Sequence, residues 1–185
     1  MISAKEALNK LKEGNKRFVS GSPLLESLAN SDRRIQLKAG QEPFAIILGC
    51  SDSRVPAEIV FDFSLGHLFV VRVAGNIVAP SQLGSIEYAT SQFGTRLVVV
   101  MGHSGCGAVS ATIDQLSQST ETQSPNLSSI VNRLQPAVEP LMNSGLDEEE
   151  LLNSSVRANI LLSFFNICFC IFIKFRLKAI VFNNF

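Results

Sequence analysis

Three residue types that bind soft divalent metals sit in two short, glycine-flanked segments of this 185-residue chain. The first is Gly49-Cys50-Ser51-Asp52-Ser53-Arg54 and the second is Gly102-His103-Ser104-Gly105-Cys106-Gly107. Two thiolates and an imidazole make a good zinc set, and three protein ligands leave a fourth tetrahedral position for water. Zinc held this way lowers the pKa of bound water from about 15.7 towards ~7. The spacing His103-x-x-Cys106 lets one tight turn supply two ligands, with Cys50 arriving from elsewhere. Two thiolates cancel the metal's charge, so neighbouring groups are expected to help. Asp52 and Arg54 suit that role, because an arginine keeps the acid ionised and aims its free oxygen at the metal or its water. Asp52 is equally able to take the fourth coordination position and close the site. Taken singly, a His-x-x-Cys or a buried cysteine is ordinary; their joint placement carries the zinc reading.

The elements that must bring these segments together are legible in outline. Ser3 and Glu6 form a capping-box pattern ahead of Leu8, Leu11 and Phe18 at helical spacing. A short helix is expected over residues 27–38, ending at Gly40. Continuous apolar runs at 44–48, 68–73 and 97–101 read as buried strands. Helices are expected over 82–93, stopped by Gly94, and from 107 to 116. Residues 117–125 form a polar loop, and 127–142 a helix in which Pro136 and Pro140 impose a kink or an end. Asp147 to Glu150 suit a helix N-terminus. Strands separated by helices imply an α/β fold with a mostly parallel central sheet flanked by helices. In such sheets ligands bind outside the carboxyl ends of the strands, which is where both segments fall.

The bulk composition bounds the function classes. With 46% hydrophobic and 17% charged residues, the chain has a core to bury. Sixteen basic residues balance sixteen acidic ones, so no global field recruits nucleic acid or an anionic membrane. The N-terminus lacks a signal-peptide pattern, which makes a cytoplasmic setting the expectation, and four cysteines there point to metal or catalysis before disulfides.

The two segments resemble the signatures of the β-class carbonic anhydrases. Cys50-Ser-Asp-Ser-Arg-Val-Pro-Ala-Glu-Ile-Val is similar to the first and His103-Ser-Gly-Cys-Gly-Ala-Val to the second. Phe69-Val-Val-Arg-Val-Ala-Gly-Asn-Ile-Val and Gly84-Ser-Ile-Glu-Tyr-Ala also look like family sequence. The resemblance runs from about Ala4 to about Asn159. It implies a zinc enzyme that interconverts carbon dioxide and bicarbonate, with Cys50, His103 and Cys106 as ligands. Asp52 and Arg54 would form the family's dyad, with Asp52 orienting water or capping the metal. Val55, Ala74, Gly75 and Gly105 would supply pocket walls and backbone donors, and the assembly would be a homodimer or higher homo-oligomer. Hydrolysis of carbon disulfide or carbonyl sulfide on the same fold, or a non-catalytic zinc-binding or membrane-associated remnant, are the alternatives. Relatives often carry Gln near Phe63, and His67 stands where an acid is frequent; a solvated loop histidine is the simplest reading, with proton shuttling the other. With Tyr88 as the sole Tyr and no Trp, an open rather than a capped site is favoured.

After residue 159 the composition shifts. Residues 160–185 contain no Gly, Pro, Asp or Glu but hold seven of the 13 Phe. This divides the chain into a zinc domain, 1–159, and an aberrant Phe- and Ile-rich tail, 160–185, as a frameshift or a retained intron would produce. The fold is then expected to lack the usual C-terminal strands, although 178–182 resembles one, leaving the third strand as an edge. The uncharged run from Ile160 to Ile173 is shorter than the roughly 20 residues that span a bilayer, so membrane insertion is disfavoured.

Overall fold

The computed structural model describes residues 2–24, 31–117, 124–170 and, as backbone and strand pairing, 176–182. Helix α1 (Ala4–Val19) starts where the capping pattern puts it, with the Ser3 hydroxyl accepting the Glu6 N–H at 3.2 Å. Within the stretch expected to be a second helix, Ser31–Gln36 forms α2 and Leu37–Ala39 a 3₁₀ turn; residues 27–30 lie outside the described residues. The strands are β1 (Ala45–Gly49), β2 (Leu68–Arg72), β3 (Leu97–His103) and β4 (Arg176–Phe182). Between them come α3 (Ala57–Val60), α4 (Pro80–Phe93), α5 (Gly107–Ser117), α6 (Pro125–Val138) and α7 (Glu148–Cys170). Pro136 sits inside α6 rather than ending it, and Pro140 lies in the 3₁₀ turn Glu139–Leu141 that follows.

The sheet order is β2-β1-β3-β4, and every pairing is parallel. All five residues of β1 and all seven of β3 are buried. Successive side chains point to opposite faces, so both faces of these central strands are covered, as the unbroken apolar runs require. Helix α1 packs on β1, β3 and α3, while α7 packs on β3, β4, α5 and α6.

The C-terminal region departs from the expectation in one respect. The third strand is not an edge: β4 pairs with β3 over its full length, from Leu97↔Arg176 to His103↔Phe182. Helix α7 also runs without a break across residues 159 and 160, where the composition shifts. Its buried residues Val156, Ile160, Ser163 and Ile167 recur at helical spacing on both sides of that point. A phenylalanine-rich composition conceals this period but does not destroy it. Among the described residues no helix is long and apolar enough to cross a membrane.

His67 and Phe63 lie far from the two ligand-bearing turns. His67 precedes β2, beside Phe44, whose N–H donates to its carbonyl at 2.9 Å. Cys50 follows the opposite end of β1, a separation on the order of 16–20 Å along the strands. The Phe44 and Phe63 rings meet edge-on at 4.9 Å, and His67 packs at 5.8 Å from Phe63. His67 is therefore a half-buried loop histidine packed against two rings, and within this chain it lies too far from the site to act as its proton shuttle. Burial, then the charge of Arg33, lowers its pKa.

Two consequences are testable. A depressed histidine pKa means that the unfolded chain binds the proton more readily, so stability falls as pH drops through the unfolded value of about 6.5. Unfolding free energies in urea between pH 7.5 and 5 should therefore fall less steeply for His67→Asn than for the wild type. The close fit of α7 on β3 gives the second. A Cβ on Gly102 would stand 2.5 Å from Ile160 Cδ1. Gly102→Ala should cost about 1–3 kcal/mol, and adding Ile160→Val should return part of it, a coupling that a double-mutant cycle reads directly.

Candidate metal centre

The chain passes from β1 to β2 on one side and then returns to place β3 on the other, so the winding reverses between β1 and β3. Ligands in open α/β sheets bind at such a reversal, outside the carboxyl ends of the strands. Gly49 is in register with Met101, so Cys50, just past β1, comes level with the final residues of β3. Buried there are Cys50, His103 and Cys106, whose ligating atoms all lie within 4.8 Å of one another. The trio expected from the sequence is brought together in full.

His103 is poised as a ligand by its own hydrogen bond. Its Nδ1 lies 2.9 Å from the Ser104 carbonyl oxygen. A carbonyl only accepts, so Nδ1 carries the proton and the neutral ring keeps its lone pair on Nε2. That Nε2 is buried and has no hydrogen-bond partner. An orphaned acceptor is costly in an interior, and here it faces two sulfurs and a carboxylate. The donor set fits zinc.

The two sulfurs compete for one proton. The hydrogen bond with Cys106 lowers the pKa of Cys50 against the cost of burial, helped by His103 and the backbone amides of Asp52 and Gly75. The same bond, with burial, pushes Cys106 up, although the amides of Val109 and Ala108 at the start of α5 act the other way. A divalent cation allows both thiols to ionise, because its charge outweighs their mutual repulsion. For His103, burial lowers the pKa, but the Cys50 sulfur beside it and the Ser104 carbonyl on Nδ1 outweigh it and raise the net value.

Asp52 lies outside the trio, with Oδ2 3.9 Å from His103 Nε2. Arg54 grips its carboxylate at both oxygens, from Nε to Oδ1 at 2.9 Å and from the second terminal nitrogen to Oδ2 at 2.8 Å. The Arg54 backbone N–H adds a third bond to Oδ1 at 2.9 Å. These bonds hold the Asp52 carboxyl well below the usual carboxylate range, so it is ionised and accepts only. The same guanidinium donates to the Gly105 carbonyl at 3.0 Å, tying the Cys50 turn to the Cys106 turn.

Two further groups hold the site, of which Gly75 was expected as a donor and Arg72 was not. Arg72, at the end of β2, donates to the Cys50 carbonyl at 2.9 Å and the Asp52 carbonyl at 2.6 Å. Gly75, expected as a backbone donor, spends its N–H on Cys50 Sγ at 3.4 Å. Arg72 has no local pattern to mark it, because its role exists only once β1 and β2 pair.

A parallel α/β sheet with a buried Cys₂His cluster able to hold a metal ion and an arginine-clamped aspartate at its strand ends defines an α/β protein with a candidate metal centre. Residues 45–179 match the family model described as carbonic anhydrase, a match that extends past Asn159 into the Phe-rich region. The chain belongs to the carbonic anhydrase family. It is 48% identical over 128 residues to carbonic anhydrase 2 of Mycobacterium tuberculosis and likewise to a carbonic anhydrase of Mycolicibacterium smegmatis. Each match covers 69% of this chain and 61% of the relative's length. Among solved structures it is similar to the β-carbonic anhydrase CcaA, at 26% identity and a TM-score of 0.74, covering 96% of this chain and 84% of the other. It shares its fold with a Coccomyxa β-carbonic anhydrase solved with acetazolamide, at 20% identity and a TM-score of 0.73 over 95% of this chain and 82% of that one.

Arg72→Met removes two donors from the Cys50–Asp52 turn without touching a ligand. Zinc affinity, measured by competition with a chromophoric chelator, should fall roughly tenfold with the circular dichroism spectrum unchanged.

Proposed function

We propose that this chain binds one zinc ion through Cys50, His103 and Cys106 and catalyses the reversible hydration of carbon dioxide to bicarbonate and a proton. The observation that carries the reading is the unpartnered Nε2 of His103, buried with two sulfurs beside a carboxylate that Arg54 has already claimed. Zinc held by these three ligands supplies an activated water at neutral pH.

The remaining chemistry falls to the chain's own residues. Asp52 Oδ2 faces the ligand trio and keeps a lone pair after accepting from Arg54. As an ionised carboxylate it accepts a hydrogen bond from a neighbouring water but donates none, which turns that water's lone pair towards substrate. Arg54 keeps Asp52 ionised and off the fourth ligand position, so the site is read as open. The water oxygen bonds to the carbon of carbon dioxide, one carbon–oxygen double bond becomes single, and bicarbonate leaves with one proton passed to solvent. His67 stands at the other end of the sheet, so buffer takes that proton.

Residues 1–159 carry every group used in this chemistry, and Ile160, Ser163 and Ile167 of α7 contribute packing behind it. The expected setting is cytoplasmic, where thiols stay reduced, and the expected assembly is a homodimer or higher homo-oligomer. Support for the assembly comes from the fold shared with a structure described as one of two tetrameric β-carbonic anhydrases of Sordaria macrospora.

Zinc content and carbon dioxide hydration, measured together on purified variants, test the reading. Cys106→Ser should lose the metal and the activity. Asp52→Asn should keep the metal and lose about 10²–10⁴-fold in turnover, the usual worth of a positioned acid–base group. Full zinc occupancy in the wild type with no hydration would point instead to a non-catalytic zinc protein, and turnover of carbonyl sulfide or carbon disulfide alone to the hydrolase alternative.

A further inference from the structure

The 3₁₀ turn Ala74–Asn76 sits behind Cys50, and its backbone is unusual. Gly75 and Asn76 both lie in the left-handed region, with φ of +66° and +42°. Consecutive residues in that conformation turn their carbonyls away from the sheet, where no strand satisfies them, and buried carbonyls need donors. Helix α7 provides them. Asn159 Nδ2 donates to the Gly75 carbonyl at 2.7 Å, and Ser163 Oγ, one helical turn on, donates to the Asn76 carbonyl at 3.1 Å. Both side chains are buried, as is Ser155 one turn earlier. Positions 155, 159 and 163 thus form a polar stripe at i, i+4 and i+8 within a buried helix face. Apolar side chains there would avoid the desolvation cost of burying polar groups. What the stripe gains is control of Gly75, whose carbonyl Asn159 holds and whose own N–H, in the preceding peptide unit, meets Cys50 Sγ.

We propose that Asn159 is a positioning residue for the metal centre, seconded by Ser163, acting through the backbone of Gly75 on Cys50. The amide of Asn159 holds the carbonyl of the Gly75–Asn76 peptide, which fixes the backbone torsions at Gly75 and so keeps the N–H of the preceding peptide on the sulfur, and the sulfur is fixed relative to His103 and Cys106. This places a working part of the centre on α7, more than 50 residues beyond the last ligand in sequence.

The test has two arms, of which only the second rests on the zinc reading above. In the metal-free chain, hydrogen exchange at the Gly75 amide is followed by NMR. Asn159→Leu, which is similar in size but has no donor, should speed that exchange about tenfold, the equivalent of one lost buried hydrogen bond. Ser163→Ala should speed exchange at Gly75 to a lesser degree. Ile167→Ala, which opens a cavity further along α7 without touching the turn, should leave it unchanged. In the second arm, zinc affinity by chelator competition should fall 10–100-fold for Asn159→Leu, and Co²⁺ loaded into the same variant should show an altered thiolate-to-cobalt absorption band. Should Asn159→Leu not fold, Ser163→Ala carries both arms. Unchanged Gly75 exchange in the folded variants, or an equal rise in Ile167→Ala, overturns the proposal. A wild-type chain that takes up no zinc would sink the proposed function, while the exchange arm would still decide this inference.

Discussion

The parallel pairing of β1 with β3 is the constraint on which the rest depends. Neither turn is a site alone: one offers a thiol and a carboxylate, the other an imidazole and a thiol. They become one centre because Gly49 stands opposite Met101, which sets both turns at the same height above the sheet. A slip of one residue would turn the strand's side chains to the wrong faces. Complete burial of both strands on both faces makes that slip prohibitively costly. Hydrophobic burial, which has no direction of its own, thus fixes the position of sulfur and nitrogen to within a hydrogen bond's length.

Polar contacts then refine what the sheet has placed. The Arg54 guanidinium spans the gap between the turns, and Arg72 closes the first turn from β2. Each arginine adds directional bonds that a packed apolar core cannot supply. Around the ligands the charges are arranged in compensating sets. Asp52 and Arg54 sum to zero, and two thiolates would sum to zero with a divalent ion held between them. A buried centre without net charge avoids most of the desolvation cost that isolated ions would incur.

Much of this was legible in the residues. Cys50, His103 and Cys106 stand out because metal ligands lie next to glycines at the ends of apolar runs, and those runs announced three of the four strands. Asp52 and Arg54 were readable as a pair because they are two residues apart. Arg72 was not, because its acceptors are backbone carbonyls, which every residue has, and only strand pairing selects those of Cys50 and Asp52. The place of His67 and Phe63 was hidden for the same reason. Nothing local reveals which end of the sheet a loop occupies, and the register puts both at the end away from the ligands.

The C-terminal part shows how composition and periodicity can disagree, and which should weigh more. Residues 160–185 are biased enough to look foreign, yet packing responds to where side chains point rather than to how often a residue type occurs. Ile160 fills the space over Gly102, one residue before a ligand, and Ser163 holds the Asn76 carbonyl. With Val156 and Ile167 they lie at intervals of four, three and four residues, the spacing of one helix face. The exposed face carries Leu161, Phe165 and Phe169, which contribute to the compositional bias without entering the core. A helix whose inner face fits so closely behind β3 is part of the scaffold that sets His103, whatever the origin of its outer face.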